Sequence, residues 1–399
     1  MMNHYLYELA STKTNILLLQ GPIGPFFKNV GMWLQKSGCN VYKINLNGGD
    51  EHFYPRNSVS FCESIDAFPQ FLENYIQQNA IDAIVVFGDC RIYHKIAKSI
   101  VDSNSNLSFW VFEEGYFRPH YITFEKNGVN GFSLLPKNHD FYQNIEITPI
   151  NDRKEKSHFY SMVYYSITYY IFILLKKYKY YNYVHHRKTS LLFYASRWSL
   201  ALIRKFKAKL TQPRLIKNII NDDYKPFYIF PLQCNQDFQI QVHSHYHSMK
   251  SYIFRVIRSF SLFADEKSYL LIKHHPMDEG FNNYNRLIKK LANRYGVSKR
   301  VIYIHSIPMP ILLRKAIGLV TVNSTCGLSA LIHGLPVIAL SNAHYDIQGL
   351  TFQYGLDRFW KEGQKPDILL FEKYRSYLCN KSQIKGSIYY KDFKLNISL

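Results

Sequence analysis

The chain has 399 residues, room for about two domains, and 47% of them are hydrophobic, which excludes a disordered protein. Lysine and arginine number 49 against 29 acidic residues, and the formal charge of +20 favours an anionic partner: a phosphorylated substrate, an anionic lipid surface or nucleic acid. Six cysteines, at 39, 62, 90, 234, 326 and 379, show neither CxxC nor Cys/His ligand spacing, so neither zinc nor a disulfide scaffold is expected.

In chain order, Asn15–Gln20 reads as a strand stopping at the Gly21-Pro22-Ile23-Gly24-Pro25 loop, before a helix over 27–36. Val41–Leu46 is a second strand, leading to Asn47-Gly48-Gly49-Asp50. A helix over 68–79 has Pro69 in its first turn, where a missing N–H costs nothing. Ile81–Phe87 is a third strand, ending at Gly88-Asp89-Cys90-Arg91. Leu107–Phe112 is a fourth, ending at Glu113-Glu114-Gly115, with Arg118 close behind.

Residues from about 150 to 215 are basic, aromatic and helical in pattern. The uncharged run Phe159–Leu175 is short of the roughly 20 apolar residues that span a bilayer. Its basic flank, Lys176, Lys177 and Lys179 and then His185-His186-Arg187-Lys188, leaves two readings: a helix lying on an anionic leaflet, or one buried between domains. Regular alternation resumes with a strand at Tyr228–Leu232, a helix over 244–263, and a strand Leu270–Lys273 that ends in His274-His275-Pro276. A helix over 284–295 and a strand Val301–Ile304 follow. Then comes an apolar run, Ile317–Val322, the turn Asn323-Ser324-Thr325-Cys326-Gly327, a helical segment and a last strand, Val337–Leu340.

This alternation predicts an α/β protein of GT-B-like architecture, two Rossmann-like domains facing a central cleft with a helical aromatic and basic middle segment. The expected bounds are 1–150, 151–215 and 216–370, with a C-terminal tail over 371–399. The N-terminus lacks a signal-peptide layout, which predicts a cytosolic protein with reduced thiols.

Open α/β sheets bind ligands beyond the carboxyl ends of their strands. Lys273, His274 and His275 then form one side of an anion site, and Asn323, Ser324, Thr325 and Gly327, at a helix start, form the other. In the first half Asp89, Glu113 and Glu114 are carboxylates aimed at the cleft beside Gln20 and Gly21, partnered by Arg91 and Arg118. Sugar transfer needs such a carboxylate as general base or nucleophile. Glu114 is the favoured nucleophile, because the Glu-Glu-Gly turn places it past a strand end with Gly115 allowing close approach. No Asp-x-Asp pair occurs, so neither a metal nor another cofactor is expected, and a CMP-activated sugar suits the site better than a UDP-sugar bridged by metal.

Several pieces, in this order, resemble capsule polysaccharide biosynthesis proteins of the KpsS/LipB type. They are LLLQGPIGPFF (17–27), FGDCR (87–91), FEEGYFRP (112–119), FPLQ (230–233) with Asp237 and Gln239, KHHP (273–276), NSTCGLSAL (323–331) and YDIQGLTFQ (345–353) with Phe359-Trp360. The resemblance implies a β-Kdo transferase using CMP-Kdo, which places the first Kdo on lyso-phosphatidylglycerol with retention of configuration. It also implies a cytoplasmic protein at the inner membrane, working with other capsule assembly and export proteins. With it Gln233 joins the donor side and Asp346 the cleft. Two other readings use the same residues: a non-catalytic assembly or export factor, and a CDP-glycerol-type transferase. Nucleic acid is not expected as a partner, since the basic residues form no recognised motif or arginine-rich stripe.

Overall fold

A computed structural model of the chain describes residues 4–118, 121–150, 158–185, 191–220, 225–235, 237–305 and 307–390. Pro119 of the 112–119 motif, and His186, Arg187 and Lys188 of the basic flank, lie outside the described residues. Two compact units are formed. The first comprises Met1–Leu134, Ile147–Lys188 and Arg375–Leu399, and the second Leu135–Glu146 and Thr189–Tyr374.

The strands in chain order are β1 (Asn15–Leu18), β2 (Asn40–Asn45), β3 (Val59–Ser60), β4 (Ala83–Phe87), β5 (Ser108–Glu114), β6 (Tyr121–Lys126), β7 (Phe227–Pro231), β8 (Tyr269–Lys273), β9 (Val301–Ile304), β10 (Gly318–Thr321), β11 (Val337–Ala339) and β12 (Gln383–Lys385). In the first unit they run β12-β6-β5-β4-β1-β2-β3. The pairs from β5 to β3 are parallel, while β6 returns antiparallel to β5, and β12 pairs antiparallel with β6. The apolar runs divide between two faces with the period of a strand. Ile16, Leu18, Val85, Trp110 and Phe112 pack with Phe26, Val30 and Leu34. Leu17, Ile84, Val86, Phe109 and Val111 pack on the other face with Phe68, Leu72 and Tyr93. A sheet covered on both faces explains why its strands read as near-continuous hydrophobic runs.

The second unit holds a wholly parallel sheet, β11-β10-β7-β8-β9. The helix Met249–Phe263 lays Tyr252, Ile253, Val256, Ile257 and Phe260 against it. It starts five residues later than the sequence pattern suggests, because Ser248 accepts a hydrogen bond from the Lys250 N–H and caps it.

Three further differences from the sequence reading matter. First, β5 continues through Glu113 and Glu114, because β6 pairs with them opposite Thr123 and Ile122. Second, residues 371–390 are no tail: the helix Ile368–Lys381 leads into β12, whose Gln383 accepts from the Tyr116 N–H and donates to Thr123. Third, the middle segment is divided: the helix Phe159–Leu175 belongs to the first unit, the helices Leu191–Thr211 and Pro213–Ile220 to the second.

Candidate functional site

In the second unit the strand order reverses at β7, which lies between β10 and β8. At such a switch point the loops after neighbouring strands diverge and open a crevice. Gln233, just past β7, and Asn323, just past β10, meet there. Gln233 Nε2 donates to Asn323 Oδ1 (3.0 Å), and the Asn323 N–H donates back to Gln233 Oε1 (3.3 Å). Asn323 Nδ2 donates to the carbonyls of Gln239 (3.0 Å) and His243 (3.1 Å). Both residues are therefore occupied in building the turn, and the groups that follow present it.

Ser324 Oγ accepts from the Cys326 N–H (3.2 Å), while the Ser324 carbonyl accepts from the Tyr345 hydroxyl. Thr325 stands at the start of the helix Cys326–Ile332, and its hydroxyl makes no capping bond. Gly327 is required by packing, since a Cβ there would strike the Tyr345 ring. On the other side of β7, Lys273 ends β8. It is buried, its Nζ donates to the His305 carbonyl (3.1 Å), and burial lowers its pKa, opposed by the charges of Cys326 and Glu279. His275 Nδ1 lies 3.2 Å from Cys234 Sγ and accepts from the Met277 N–H (3.2 Å), which leaves the proton on Nε2.

One expected donor residue, His274, does not join this group, and Asp346, expected at the cleft, is occupied in its own loop. His274 meets the Tyr303 hydroxyl through Nδ1 at 2.5 Å, on the β9 side. Asp346 accepts from Thr351 Oγ1 (2.6 Å) and Gln353 Nε2 (3.1 Å), closing its own loop.

In the first unit the switch point lies between β1 and β4. Gln20 is buried there and donates through Nε2 to the hydroxyls of Tyr169 (3.2 Å) and Tyr183 (2.8 Å). The Gly21 carbonyl accepts from Arg91 Nη1 (3.0 Å), so Arg91 is tied to backbone and does not partner the acids. Asn47 donates to the Tyr169 hydroxyl (3.0 Å), and a Cβ on Gly48 would meet the Phe172 carbonyl. The Asn-Gly-Gly turn after β2 is thus a seat for the helix Phe159–Leu175, not a ligand loop. His52 stacks on Phe172 at 3.8 Å beside it.

The acids separate by strand geometry. Glu113 and Glu114 are consecutive in β5, so their side chains leave opposite faces of the sheet. Glu114 is exposed in its side chain and pairs with Arg118 at 2.9 Å. Glu113 is half-buried and turns toward Gly88: a Cβ on that glycine would lie 3.4 Å from Glu113 Oε2. Its Oε1 accepts from the Glu114 N–H (3.0 Å). Burial pushes its pKa up to about 7, and the charges of Glu114 and Asp89 add to the rise. Asp89 is buried and accepts from the Val129 N–H (3.0 Å) and from Cys90 Sγ (3.2 Å).

Sequence reasoning missed two neighbours. Glu125 sits in β6 opposite Val111, on the same face as Glu113, and accepts from Ser133 at 2.5 Å. Burial raises its pKa to about 7, with the Asp89 charge adding to the rise. His94 is fully buried, its Nδ1 lies 2.5 Å from the Gly88 carbonyl, and burial lowers its pKa to about 3. A neutral imidazole there donates to Gly88 and fixes the turn that presents Asp89. Once the Glu113 return strand is recognised, Glu125 follows from strand register; nothing in the sequence marks His94.

The capsule polysaccharide biosynthesis protein family matches over residues 82–389. The capsule polysaccharide modification protein LipB of Neisseria meningitidis serogroup B is 42% identical over 98% of this chain and 96% of its own. The capsule polysaccharide export protein KpsS of Escherichia coli is 41% identical over 98% of this chain and 100% of its own. Among solved structures, the beta Kdo 2,7 transferase of Thermosulfurimonas dismutans KpsC aligns over 90% of this chain and 89% of that chain, with 15% identity and a TM-score of 0.42.

Proposed function

The chain belongs to the capsule polysaccharide biosynthesis protein family, and we propose that it is a glycosyltransferase that moves β-Kdo from CMP-Kdo to a lyso-phosphatidylglycerol acceptor with retention of configuration. The observation that carries this reading is a pair of strand-end clusters: hydrogen-bonding groups after β8 and β10 in the second unit, and the carboxyls of Asp89, after β4, and Glu113, in β5, in the first. Lys273, His275, Ser324 and Thr325 hold the donor phosphate. That suits a leaving group with a single phosphate, which charge-assisted hydrogen bonds alone can stabilise.

In this reading Asp89 is the nucleophile and Glu113 the general acid–base. Glu113 turns toward Gly88, the residue before Asp89, whereas Glu114 leaves the opposite face of β5. The Asp89 carboxylate bonds to the anomeric carbon as the bond to the CMP phosphate oxygen breaks, and CMP departs with the electron pair. Glu113 then takes the proton of the acceptor hydroxyl, whose oxygen displaces Asp89. Two inversions give retention. A carboxyl that titrates near 7 is matched to moving a proton at neutral pH.

The lipid acceptor accords with the helix Phe159–Leu175. Tyr165 and Tyr169 bury one side of it, while Tyr160, Tyr164, Ile167, Ile171, Leu174 and Leu175 are exposed. No helix of the described residues is long and apolar enough to cross a membrane. This helix instead lies along the anionic inner leaflet, in a cytoplasmic protein peripherally attached and working beside other capsule assembly and export proteins.

The experiment is incubation of the purified chain with CMP-Kdo and lyso-phosphatidylglycerol, followed by product mass. A Kdo-bearing lipid and released CMP are expected. No CMP release from an intact, CMP-binding protein overturns the catalytic reading in favour of an assembly factor, and turnover of CDP-glycerol alone overturns the donor.

A further inference from the structure

Beside the donor turn, three side chains of the second unit converge from separate parts of its chain. His274 follows β8, Glu279 lies in the loop beyond it, and His305 follows β9. One ligand-capable atom from each lies within 4.8 Å of the others. His305 Nδ1 stands 3.1 and 3.2 Å from the two oxygens of Glu279. Two atoms on one tetrahedral zinc, each bonded at about 2.0–2.2 Å, stand about 3.3 Å apart, so this spacing already matches ligands of a common ion.

A second observation points the same way. His274 is 1% exposed, and its Nε2 has no hydrogen-bond partner among the described residues. A pairing of His305 with Glu279 accounts for those two groups and leaves that buried nitrogen without a role. The other ring nitrogen is held by the Tyr303 hydroxyl, the arrangement by which a metal-bound histidine has its ring oriented.

We propose that His274 Nε2, the Glu279 carboxylate and His305 Nδ1 hold one divalent transition-metal ion of the zinc class, with Tyr303 orienting His274. The donor set, two imidazoles and one carboxylate, suits zinc or cobalt over magnesium or calcium. The ligands rest on fixed backbone. The His274 N–H donates to the Ile304 carbonyl (2.8 Å), and the His305 N–H donates to Gln212 Oε1 (3.2 Å). Lys273 donates to the His305 carbonyl, so the ion fastens together the two strand ends that hold the donor-site lysine. The ion fixes these strand ends and takes no chemical part in the proposed transfer reaction.

The test uses the full chain, stripped of metal and titrated with cobalt(II). One ion per chain, with the visible absorption of a four-coordinate cobalt site, is expected, together with zinc competition. Glu279→Gln and His274→Gln should abolish that absorption, and Tyr303→Phe should weaken cobalt binding by about 10- to 100-fold. Circular dichroism identifies any variant that fails to fold, and the wild-type titration stands without the variants. A folded wild-type chain that takes up no stoichiometric cobalt overturns the proposal, as does undiminished absorption in a folded His274→Gln chain.

Discussion

Gln233 and Asn323 hold each other through two hydrogen bonds, of 3.0 and 3.3 Å, between the ends of adjacent parallel strands. The loop after β7 cannot shift without dragging the turn that carries Ser324 and Thr325. Asn323→Ala removes the acceptor for Gln233 and the donor for two carbonyls, each of which costs about 1–3 kcal/mol when left buried and unmatched. A lower melting temperature and weaker CMP binding are expected together. Ser324→Ala combined with Thr325→Ala, or His275→Ala, should lower the melting temperature less, since each removes one local acceptor of a backbone N–H, and weaken CMP by roughly 1.5–3 kcal/mol per lost charge-assisted bond. Calorimetric titration separates the two patterns, and wild-type CMP affinity in all of these variants would show that the phosphate binds elsewhere.

Opposite faces of β5 make the two adjacent glutamates distinguishable. Glu113→Gln and Asp89→Asn should each lower turnover by orders of magnitude with CMP binding retained. Glu114→Gln breaks an exposed pair with Arg118 and should change turnover only several-fold. The reverse ranking in steady-state kinetics would move the chemistry to the other face of the sheet.

The raised carboxyl of Glu125 gives a pH signature. Its pKa is about 7 in the folded chain against an ordinary 4.5. The unfolded chain therefore ionises first, and the stability this group supplies, complete below about 4.5, is lost as pH rises through 7. The loss is about 3 kcal/mol. Glu125→Gln cannot ionise, so its stability relative to wild type should climb between those two pH values. Denaturant midpoints measured across that range check the slope. A constant difference would mean that Glu125 titrates normally.

Membrane binding should depend on the apolar face more than on the whole basic flank. Lys176 and Lys179 both pair with Glu51, at 3.1 Å each, while Lys177 is exposed. Lys177→Gln should weaken binding to anionic vesicles by about 1 kcal/mol, and Lys176→Gln by less. Ile167→Asp with Ile171→Asp should remove co-sedimentation at low salt. Unchanged co-sedimentation of that double variant would assign the exposed face to another occupant.

Much of this arrangement was legible from local pattern. The KHHP strand end and the Asn-Ser-Thr turn flank β7, as strands broken by polar clusters suggest. What escaped was non-local. The helix Phe159–Leu175 fills the first switch point with Tyr169, about 150 residues after Gln20 in the chain, so a polar strand end that looks like a ligand site is already occupied. Tyr121–Lys126 carries no turn signal strong enough to reveal an antiparallel return, and without it neither Glu125 nor the true end of β5 is visible. His274 sits between Lys273 and His275 and reads as their companion, yet its ring turns to Tyr303.

The three-residue strand β12 has a consequence for how the protein is made. It covers the edge of β6, but the chain reaches it only after all of Thr189–Tyr374 has been built into the second unit. During synthesis the nascent first unit therefore waits with a bare, hydrogen-bonding strand edge, the kind that recruits other chains. At the elongation rate of about 5–20 residues per second, that interval lasts on the order of ten seconds or more. Overproduction should strain the protein here, and a chain cut before Gln383 should aggregate although every residue of its candidate site is present.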